Sequence, residues 1–268
     1  MTDRLFIVDT SYLVFYRFHA IRMWLSKAKP EISLDGVEDI TSIPEFMKTY
    51  QSTFFKTLEK IIKSEGVRPE NIIFARDCSS QDVWRRLIFP DYKGNRDYTN
   101  FCGKTIFQWT YDNLLPVYTQ LGAKVIRFDY IEADDIAALI VMNCPDRDIT
   151  IITNDNDYLQ LLKYPRLKLL NLKEEDLKKR SIGTPNGDLM KKIVLGDPSD
   201  NIPKVFSKCG PKTLEKYLAD EKLFNDALDK EPDARKRYKL NRVLVDFEQI
   251  PTHYKDEVKA WISNNISN

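Results

Sequence analysis

The first two thirds of the chain alternate short, almost wholly apolar runs with longer amphipathic stretches, and this alternation restricts the fold more than any other feature. The apolar runs are, in chain order, LFIVD, NIIFARD, AKVIRFD, ITIITND and LKLLNL. Runs this short and this apolar are typical of strands that are buried on both faces. Because strands separated by helices must pair through crossovers, the pattern predicts an α/β fold with a mostly parallel, twisted sheet flanked by helices.

Helices are predicted between the strands and after them. IPEFMKTYQSTFFKTLEKIIKSEG predicts one amphipathic helix that begins near Pro44 and stops at Gly66, and FQWTYDNLLPVYTQLG and EADDIAALIVMN predict two more. Five further helical segments follow the turn-rich stretch SIGTPNGD and are joined by short turns. We therefore predict a larger domain over residues 1–185 and a smaller helical domain over residues 186–268.

The composition narrows the chemistry that this chain can perform. His19 and His253 are the only histidines, so a Ser-His-Asp triad or a histidine-based zinc site is disfavoured. The four cysteines include no CxxC pair, which predicts neither a zinc knuckle nor a disulfide framework and favours a reducing, intracellular compartment. No apolar run approaches the roughly 18 residues of a membrane span, so no membrane partner is expected. Any catalysis should therefore depend on carboxylates.

Carboxylates follow the predicted strands and begin the helix after the third strand. The carboxyl ends of parallel strands meet at one edge of a sheet, where functional groups collect. Helix capping and turn chemistry explain any one of these carboxylates, but not the repulsion among all of them. Mg²⁺ and Mn²⁺ relieve such repulsion, and two ions ~4 Å apart can hydrolyse phosphodiesters. The candidate ligands are Asp9, Asp77, Glu132, Asp134, Asp135, Asp155, Asp157, Asp197 and Asp200.

The segment WRRLIFPDYKGNRDYTNFCGKT, residues 84–105, mixes cationic and aromatic side chains. Cations contact phosphates and rings stack on unpaired bases, so this mixture suits a single-stranded nucleic acid, although an exposed loop with solvated charges is the alternative. Because the segment follows the strand that ends at Asp77, it should overhang the acidic edge. We predict DNA contacts from Arg85, Arg86 and Lys104.

A second candidate for DNA contact is the stretch IPKVFSKCGPKTLEKYL. Within it, CGPKT predicts a turn that leads into the N-terminus of a helix, where backbone N–H groups could hold a duplex phosphate without reading sequence. An ordinary Gly-Pro turn is the alternative. The candidate contacts in this stretch are Ser207, Lys208, Gly210, Lys212 and Thr213.

Six segments together resemble the flap endonuclease / 5′-3′ exonuclease superfamily of structure-specific 5′ nucleases. They are VDTSYLVFYR, FARD, FPDYKGNRD, IEADDIAALIV, TNDNDYLQL and GDPSDNIPKVFSKCGPKT, in the family's order. WRR…YKGNR, DYLQLLKYP and YKLNRVLVDFEQIP are most similar to the ribonucleases H of T-even bacteriophages. The resemblance covers nearly the whole chain. It implies a PIN-like domain, a helical arch or gateway over residues 84–105, and a helix-three-turn-helix motif in the second domain.

The resemblance divides the carboxylates between two metal positions. The first would be served mainly by Asp9, Asp77, Glu132 and Asp134. The second would be served mainly by Asp135, Asp155, Asp157 and Asp200, with Asp197 close by. Two Mg²⁺ ions are the implied cofactors, and Mn²⁺ could take their place.

The same resemblance assigns roles to residues of the arch and of the motif. Lys93 and Arg96 match the family's basic catalytic residues, which engage the scissile phosphate, and Tyr92 matches an aromatic residue that stacks on the terminal base. The helix-three-turn-helix would grip duplex DNA and could bind K⁺ through backbone carbonyls. However, VFSKCGPKT departs from the family's G(I/V)G turn before PKT, so the K⁺ site is an open expectation.

The activity implied by the resemblance is that of a Mg²⁺-dependent structure-specific 5′ nuclease. Its substrates would be duplex DNA with a 5′ flap, a nick or a single-stranded 5′ end, and RNA primers in RNA–DNA hybrids. It would act as a monomer in DNA replication or repair, beside replication proteins, and in the bacterial cytoplasm if the source is viral. Two alternatives are a PIN-like ribonuclease for single-stranded RNA, which needs no duplex-binding motif, and a non-catalytic DNA-junction-binding protein. The second is disfavoured because every expected acidic position is filled.

Overall fold

The computed structural model describes residues 4–34, 36–96 and 101–266, and a five-stranded sheet runs through it. The strands are β1 (Leu5–Asp9), β2 (Ile72–Ala75), β3 (Lys124–Ile126), β4 (Ile149–Ile152) and β5 (Leu167–Leu170). They lie in the order β3-β2-β1-β4-β5, and every neighbouring pair is parallel. The five predicted strands and the parallel sheet are therefore confirmed.

Helices make up most of the remaining described chain. The α-helices are α1 (Thr10–Ala28), α2 (Pro44–Thr53), α3 (Lys56–Glu65), α4 (Trp84–Ile88), α5 (Lys104–Asn113), α6 (Leu115–Thr119), α7 (Ala133–Asn143), α8 (Pro185–Leu195), α9 (Pro211–Ala219), α10 (Glu221–Lys230), α11 (Ala234–Val245) and α12 (Thr252–Asn265). Short 3₁₀ helices span Ile40–Ser42, Pro69–Asn71, Asn156–Lys163, Leu177–Arg180, Pro198–Asp200 and Phe247–Gln249. Within the described ranges, no helix combines the length and the apolar character needed to cross a membrane.

Both faces of the sheet are covered by helices. In β1, Phe6 and Val8 pack into a core formed with α1, α2, α3, α5 and α6. Leu5 and Ile7 point the other way and pack with α7 and α12. Successive side chains of a strand point to opposite faces, so an uninterrupted apolar run such as LFIV is buried only between two helical layers.

Two of the predicted helices are each divided in two, and both predictions are corrected here. The helix expected from Pro44 to Gly66 is interrupted between α2 and α3, where Phe54 and Phe55 both pack inward. Neighbouring residues on a continuous helix point in different directions, so the break allows both rings to reach the core. The helix expected over residues 107–122 breaks between α5 and α6, because Pro116 has no N–H to continue the hydrogen-bond ladder.

The C-terminal third forms a helical group with one exception. Helices α8 to α11 pack around apolar side chains that include Val194, Phe206 and Phe224. By contrast, α12 returns to the sheet, where Val258 and Ile262 pack with α7. The prediction of one separate domain over residues 186–268 therefore does not fit α12, whereas a division after residue 185 stays a prediction for α8 to α11.

Residues 84–105, the predicted arch, are described in part. The segment begins with the short helix α4, continues as turns to Arg96 and ends at the start of α5. Residues 97–100, which include the aromatic Tyr98, lie outside the described residues. The prediction of a helical arch or gateway over residues 84–105 consequently stays a prediction.

Candidate metal centre

The candidate site lies at the carboxyl edge of the sheet, beside β1. Because β1 pairs with β2 on one side and with β4 on the other, the strand order changes direction there, and such a switch point opens a crevice. Asp9 is the last residue of β1, Asp77 follows β2, and Asp155 follows β4. A cleft of about 640 Å³ is lined by Asp9, Asp155, Asp157 and Asp197 among others. The topology thus gathers carboxylates that are far apart in the sequence.

Neutral donors hold the two carboxylates that end β1 and follow β2. Asp9 caps α1, accepting the backbone N–H of Tyr12 at 3.0 Å, and it also accepts the hydroxyl of Thr153 at 3.2 Å. Asp77 accepts the Ser11 hydroxyl and the backbone N–H of Ala133, the latter at 2.9 Å. These donors stabilise the orientation of the carboxylates without neutralising their charge. Sequence reasoning missed Ser11, whose position two residues after the end of a strand is its only signal.

A buried arginine organises the start of α7. Arg85, on α4, is 2% exposed and donates to Glu132 Oε2 at 2.8 Å and to the two oxygens of Asp135 at 2.8 and 2.7 Å. Its Nε donates to the carbonyl of Leu244 at 2.7 Å, and the Trp84 indole donates to Asp135 at 2.8 Å. These contacts join α4, α7 and α11 in one hydrogen-bonded network.

Two predictions do not fit this network. Arg85 was expected to contact DNA, but its guanidinium is enclosed by protein acceptors and would have to leave them to reach a phosphate. Asp135 was expected to bind the second metal, yet it is fully buried and both of its oxygens already accept hydrogen bonds from Arg85. A carboxylate offers about four lone-pair sites, and few of those on Asp135 remain for an ion.

The turn that carries Lys93 and Arg96 faces the acidic cluster. Lys93 Nζ lies 2.5 Å from Glu132 Oε1, and Arg96 Nη2 lies 2.6 Å from Asp200 Oδ1. The backbone N–H of Lys93 donates to the carbonyl of Asp200 at 2.9 Å, which fixes the turn against the 3₁₀ helix Pro198–Asp200. Tyr92 is only 3% exposed, with its hydroxyl 3.3 Å from Glu132, so the predicted stacking of its ring on a terminal base does not fit its burial.

A glycine-dependent turn places Asp197 and Asp200. Gly196 has φ = +71°, and a Cβ at this position would lie 2.5 Å from the carbonyl oxygen of Ile202, so only glycine fits. Asp197 and Ile202 then exchange backbone hydrogen bonds of 2.9 and 2.8 Å. The turn directs both carboxylates towards a lysine on α8, Lys192, which contacts Asp197 Oδ2 at 2.9 Å and Asp200 Oδ2 at 3.6 Å. No sequence signal distinguishes Lys192 from an ordinary helix-surface lysine.

Three carboxylates of the cluster carry charge that the protein leaves poorly compensated. Burial, and then the charge of Asp77, raise the pKa of Asp9 to about 7. Burial and then the neighbouring Asp135 raise the pKa of Asp134 well above its ordinary value. Burial also raises the pKa of Asp157 to about 7. Carboxylates in this state gain most from a nearby cation.

Two other carboxylates are strongly compensated. Burial alone would raise the pKa of Glu132, but Lys93 and Arg85 lower it to about 2. Burial likewise opposes ionisation of Asp197, and Lys192 lowers its pKa to about 2. The cluster therefore contains carboxylates that their cationic partners keep ionised and carboxylates that lack sufficient compensation, and Asp157 is one of the latter in spite of its contact with Lys192. One oxygen from each of Glu132, Asp134 and Asp135 lies within 4.8 Å of the others, but an ion shared by all three would compete with Arg85, which already donates to Glu132 and Asp135.

The other predicted DNA contacts lie in two places on the described surface. Arg86 is half-buried on α4, and Lys104 is exposed at the start of α5. The second group surrounds the N-terminus of α9, where Gly210 is the capping residue, and consists of Ser207, Lys208, Gly210, Lys212 and Thr213. All members of this second group are exposed or half-buried, as a DNA contact requires. Their contact with DNA stays a prediction.

The metal-free protein is expected to lose stability as the pH rises from about 5 to about 7.5. Asp9 has a folded-state pKa of about 7 against an ordinary 3.8, so the folded protein retains a proton that the unfolded chain has released. The stabilisation that Asp9 contributes is complete below its pKa in the unfolded chain. It is lost as the pH rises through its pKa in the folded protein. We expect a fall of about 2 kcal/mol from Asp9 alone, roughly 5 °C in Tm, and a further fall from Asp157. Thermal melts in EDTA measure it.

The matched control for this pH effect is Asp9→Asn, which removes one of the two groups with a pKa near 7. The variant should show a smaller pH dependence over the same range, because the contribution of Asp9 is removed and Asp157 is left as the group with a pKa near 7. A wild-type Tm in EDTA that does not change between the two pH values would contradict the assigned charge state of the cluster.

The described chain is thus an α/β protein with a parallel sheet and carboxylates gathered at its switch point. The chain belongs to the 5′-3′ exonuclease family: residues 4–186 match the family's N-terminal resolvase-like domain. It is 28% identical over 222 residues to the ribonuclease H of Enterobacteria phage T4. This alignment covers 75% of this chain and 72% of the phage protein. It is 27% identical to DNA polymerase I of Lactococcus lactis subsp. cremoris over 84% of this chain, but spans only 25% of the polymerase.

Solved structures show the same fold at low sequence identity. The 5′-exonuclease of T5 with bound zinc ions aligns with a TM-score of 0.68 and 19% identity, covering 98% of this chain and 100% of that one. The T5 D15 protein co-crystallised with metal ions aligns with a TM-score of 0.66 and 18% identity over the same shares of the two chains. At this level of identity the similarity establishes the architecture, and the chemistry rests on the residues of this chain.

Proposed function

We propose that this protein is a Mg²⁺-dependent, structure-specific 5′ nuclease that hydrolyses phosphodiesters near the 5′ end of branched or nicked duplex DNA. The observation that carries the proposal is the convergence of carboxylates from five segments at one sheet edge, facing the cations Lys93 and Arg96. Carboxylates bind the metal, and the cations face the position where a scissile phosphate would lie. Membership of the 5′-3′ exonuclease family supports this assignment.

The donor set of the cluster fits hard divalent cations. Mg²⁺ and Mn²⁺ prefer carboxylate and water oxygens, and Asp9 and Asp134 are buried carboxylates whose raised pKa reflects insufficient compensation. One ion would be held by Asp9, Asp77, Glu132 and Asp134, and the other by Asp155, Asp157, Asp197 and Asp200. When bound, such ions lower the pKa of a water and stabilise the charge that develops on the phosphate.

The cationic residues of the turn would orient the substrate. Lys93 and Arg96 are partly exposed, with side chains 21% and 37% accessible, so a phosphate could exchange for their present carboxylate partners. Because both cations contact the cluster, a phosphate that they bind would be held beside the metal ligands. This placement would neutralise charge on the scissile group as it develops.

The second helical group would hold the duplex part of the substrate. We assign this role to α8 to α11, with the exposed N-terminus of α9 as the phosphate contact and backbone carbonyls of the preceding turn as a K⁺ site. The N–H of Ser207 donates to Glu231, and the Val205 carbonyl accepts from Arg237 at 2.8 Å, so part of this turn already has protein partners. A K⁺ ion would have to use other carbonyls of the turn.

The natural setting that we propose is removal of primers or flaps during DNA replication or repair inside the cell. One relative is named ribonuclease H, which supports RNA–DNA hybrids as a second substrate, and several relatives are DNA polymerases, which supports replication proteins as partners. A structural neighbour was solved as a flap endonuclease with DNA and metal ions. We propose that the protein acts as a monomer.

Cleavage of a 5′-labelled flap duplex tests the proposed function. The protein should release short 5′ fragments when Mg²⁺ is present, release none in EDTA, and leave an unstructured single-stranded RNA intact. Mn²⁺ should restore activity after EDTA treatment, because its ligand preferences are those of Mg²⁺. Cleavage of the RNA alone would favour a PIN-like ribonuclease, and flap binding without cleavage would favour a junction-binding protein.

A further inference from the structure

One lysine lies inside the acidic cluster. Lys192, in the last turn of α8, directs its ammonium group to Asp157, to Asp197 at 2.9 Å and to Asp200 at 3.6 Å. Its side chain is 16% exposed, so these carboxylates and the surrounding helix enclose most of it. Three of the four carboxylates proposed for the second metal position thus share one ammonium group.

The first metal position also has one cation-paired ligand, Glu132, which contacts Lys93 and Arg85, but two of its other ligands are held by neutral donors. Asp9 and Asp77 accept hydrogen bonds from hydroxyl and backbone N–H groups, all of them neutral. A divalent ion can approach that pair without displacing a cation from it. The two halves of the cluster therefore offer unequal environments to the same ion.

Resting on the proposed metal dependence, we infer that Lys192 is a built-in counter-cation that competes with the divalent ion at the second metal position. An ion that took oxygens of Asp157, Asp197 and Asp200 as ligands would lie within roughly 4 Å of the ammonium group, where like charges repel strongly. The two cations exclude each other for this reason. Lysine suits the role because its charge is carried on a flexible four-carbon stem.

Two consequences follow from this competition. The second position binds a divalent ion more weakly than it would without the ammonium group, because part of the binding free energy is spent in moving Lys192 aside. The metal-free cluster is also held together, because the ammonium group compensates carboxylates that would otherwise repel one another. Lys192 also lines the 640 Å³ cleft, together with Lys191, so its ammonium group has space to turn into when it leaves the carboxylates.

Titration of the whole protein with Mn²⁺, followed by calorimetry, tests the inference together with thermal melts in EDTA. The decisive variant is Lys192→Met, which keeps the length of the side chain and removes its charge. Lys191→Met is the matched control. It removes the same charge from the neighbouring residue, whose side chain is exposed. Lys192→Arg keeps the cation, and Lys192→Gln, whose amide still donates to carboxylates, replaces the Met variant if that variant does not fold.

The expected result has two parts with opposite signs. Lys192→Met should bind the second Mn²⁺ at least about tenfold more tightly than the wild type, and its Tm in EDTA should fall. Lys191→Met and Lys192→Arg should both stay within about threefold of the wild-type affinity. The increase in Tm on adding Mn²⁺ should be larger for Lys192→Met than for the wild type.

Two results would overturn the inference, and they differ in what they say about the proposed function. If the wild type binds Mn²⁺ and cleaves the flap but Lys192→Met binds the second ion no more tightly, Lys192 does not compete and only this inference fails. If neither the wild type nor any variant binds Mn²⁺, the proposed metal-dependent function fails and the inference fails with it.

Discussion

Replacing Asp135 with asparagine is expected to lower the free energy of unfolding of the metal-free protein by about 3 kcal/mol, roughly 6–12 °C in Tm. The carboxylate is fully buried and accepts from both terminal nitrogens of Arg85, at 2.8 and 2.7 Å. An amide keeps the shape but has one acceptor oxygen and no charge. Arg85 would then be buried with Glu132 as its remaining carboxylate partner, and a buried charge that loses a partner is strongly destabilising.

The neighbouring residue supplies the control for this prediction. Asp134→Asn is expected to raise the metal-free stability by about 1 kcal/mol at neutral pH, because burial and the charge of Asp135 disfavour its ionised form. The amide oxygen can still accept the Asp135 backbone N–H, which lies 2.8 Å from Asp134 Oδ1. Denaturant unfolding in EDTA compares the two variants directly. Two adjacent carboxylates on one helix turn should therefore respond in opposite directions.

The two variants separate structural from metal-binding roles at the start of α7. If Asp135→Asn is as stable as the wild type in EDTA, Asp135 is not held by Arg85 in solution and its assignment as a metal ligand regains support. If both variants destabilise the metal-free protein, the charge of Asp134 is compensated by a partner in solution. In the expected pattern, Asp135 positions Arg85 and Glu132, whereas Asp134 is available to bind an ion.

Local pattern and one topological rule were sufficient to predict the sheet and its acidic edge. Apolar runs such as LFIVD predict buried strands without tertiary information, and parallel strands bring their carboxyl ends together wherever they lie in the sequence. The position of Asp9, Asp77 and Asp155 beside one another follows from these two facts alone. Predictions of this kind succeed because each residue's role depends on its own strand.

Pairing between distant residues could not be predicted in the same way. Arg85 and Arg86 are adjacent and chemically identical, yet Arg85 is buried against a carboxylate 50 residues away, whereas Arg86 is half-buried. Lys191 and Lys192 differ likewise, since only packing of α8 against the segment after β4 directs Lys192 to Asp157. The return of α12 to the sheet also depends on which apolar face α7 leaves uncovered. These outcomes are properties of the assembled core.

Replacing Asp155 with asparagine is expected to reduce Mg²⁺-dependent flap cleavage by at least about 10³-fold, since loss of a metal-ligating charge removes several kcal/mol of transition-state stabilisation. Asparagine is chosen because Asp155 Oδ1 also accepts the backbone N–H of Asp157 at 2.9 Å, and an amide oxygen preserves this cap. Folding and Tm in EDTA should therefore change little. Single-turnover rates on a 5′-labelled flap measure the loss.

The control for this last prediction is Asp129→Asn. Asp129 also follows a strand, but its side chain is 74% exposed and pairs with Arg127 at 2.9 Å, outside the set of carboxylates that line the cleft. Its variant should cleave at the wild-type rate. Asp155→Asn should bind the flap in EDTA as tightly as the wild type or more tightly, because it removes a negative charge that faces phosphates. If Asp155→Asn cleaves within tenfold of the wild-type rate, Asp155 is not a metal ligand. The proposed second metal position then loses one of its four carboxylates.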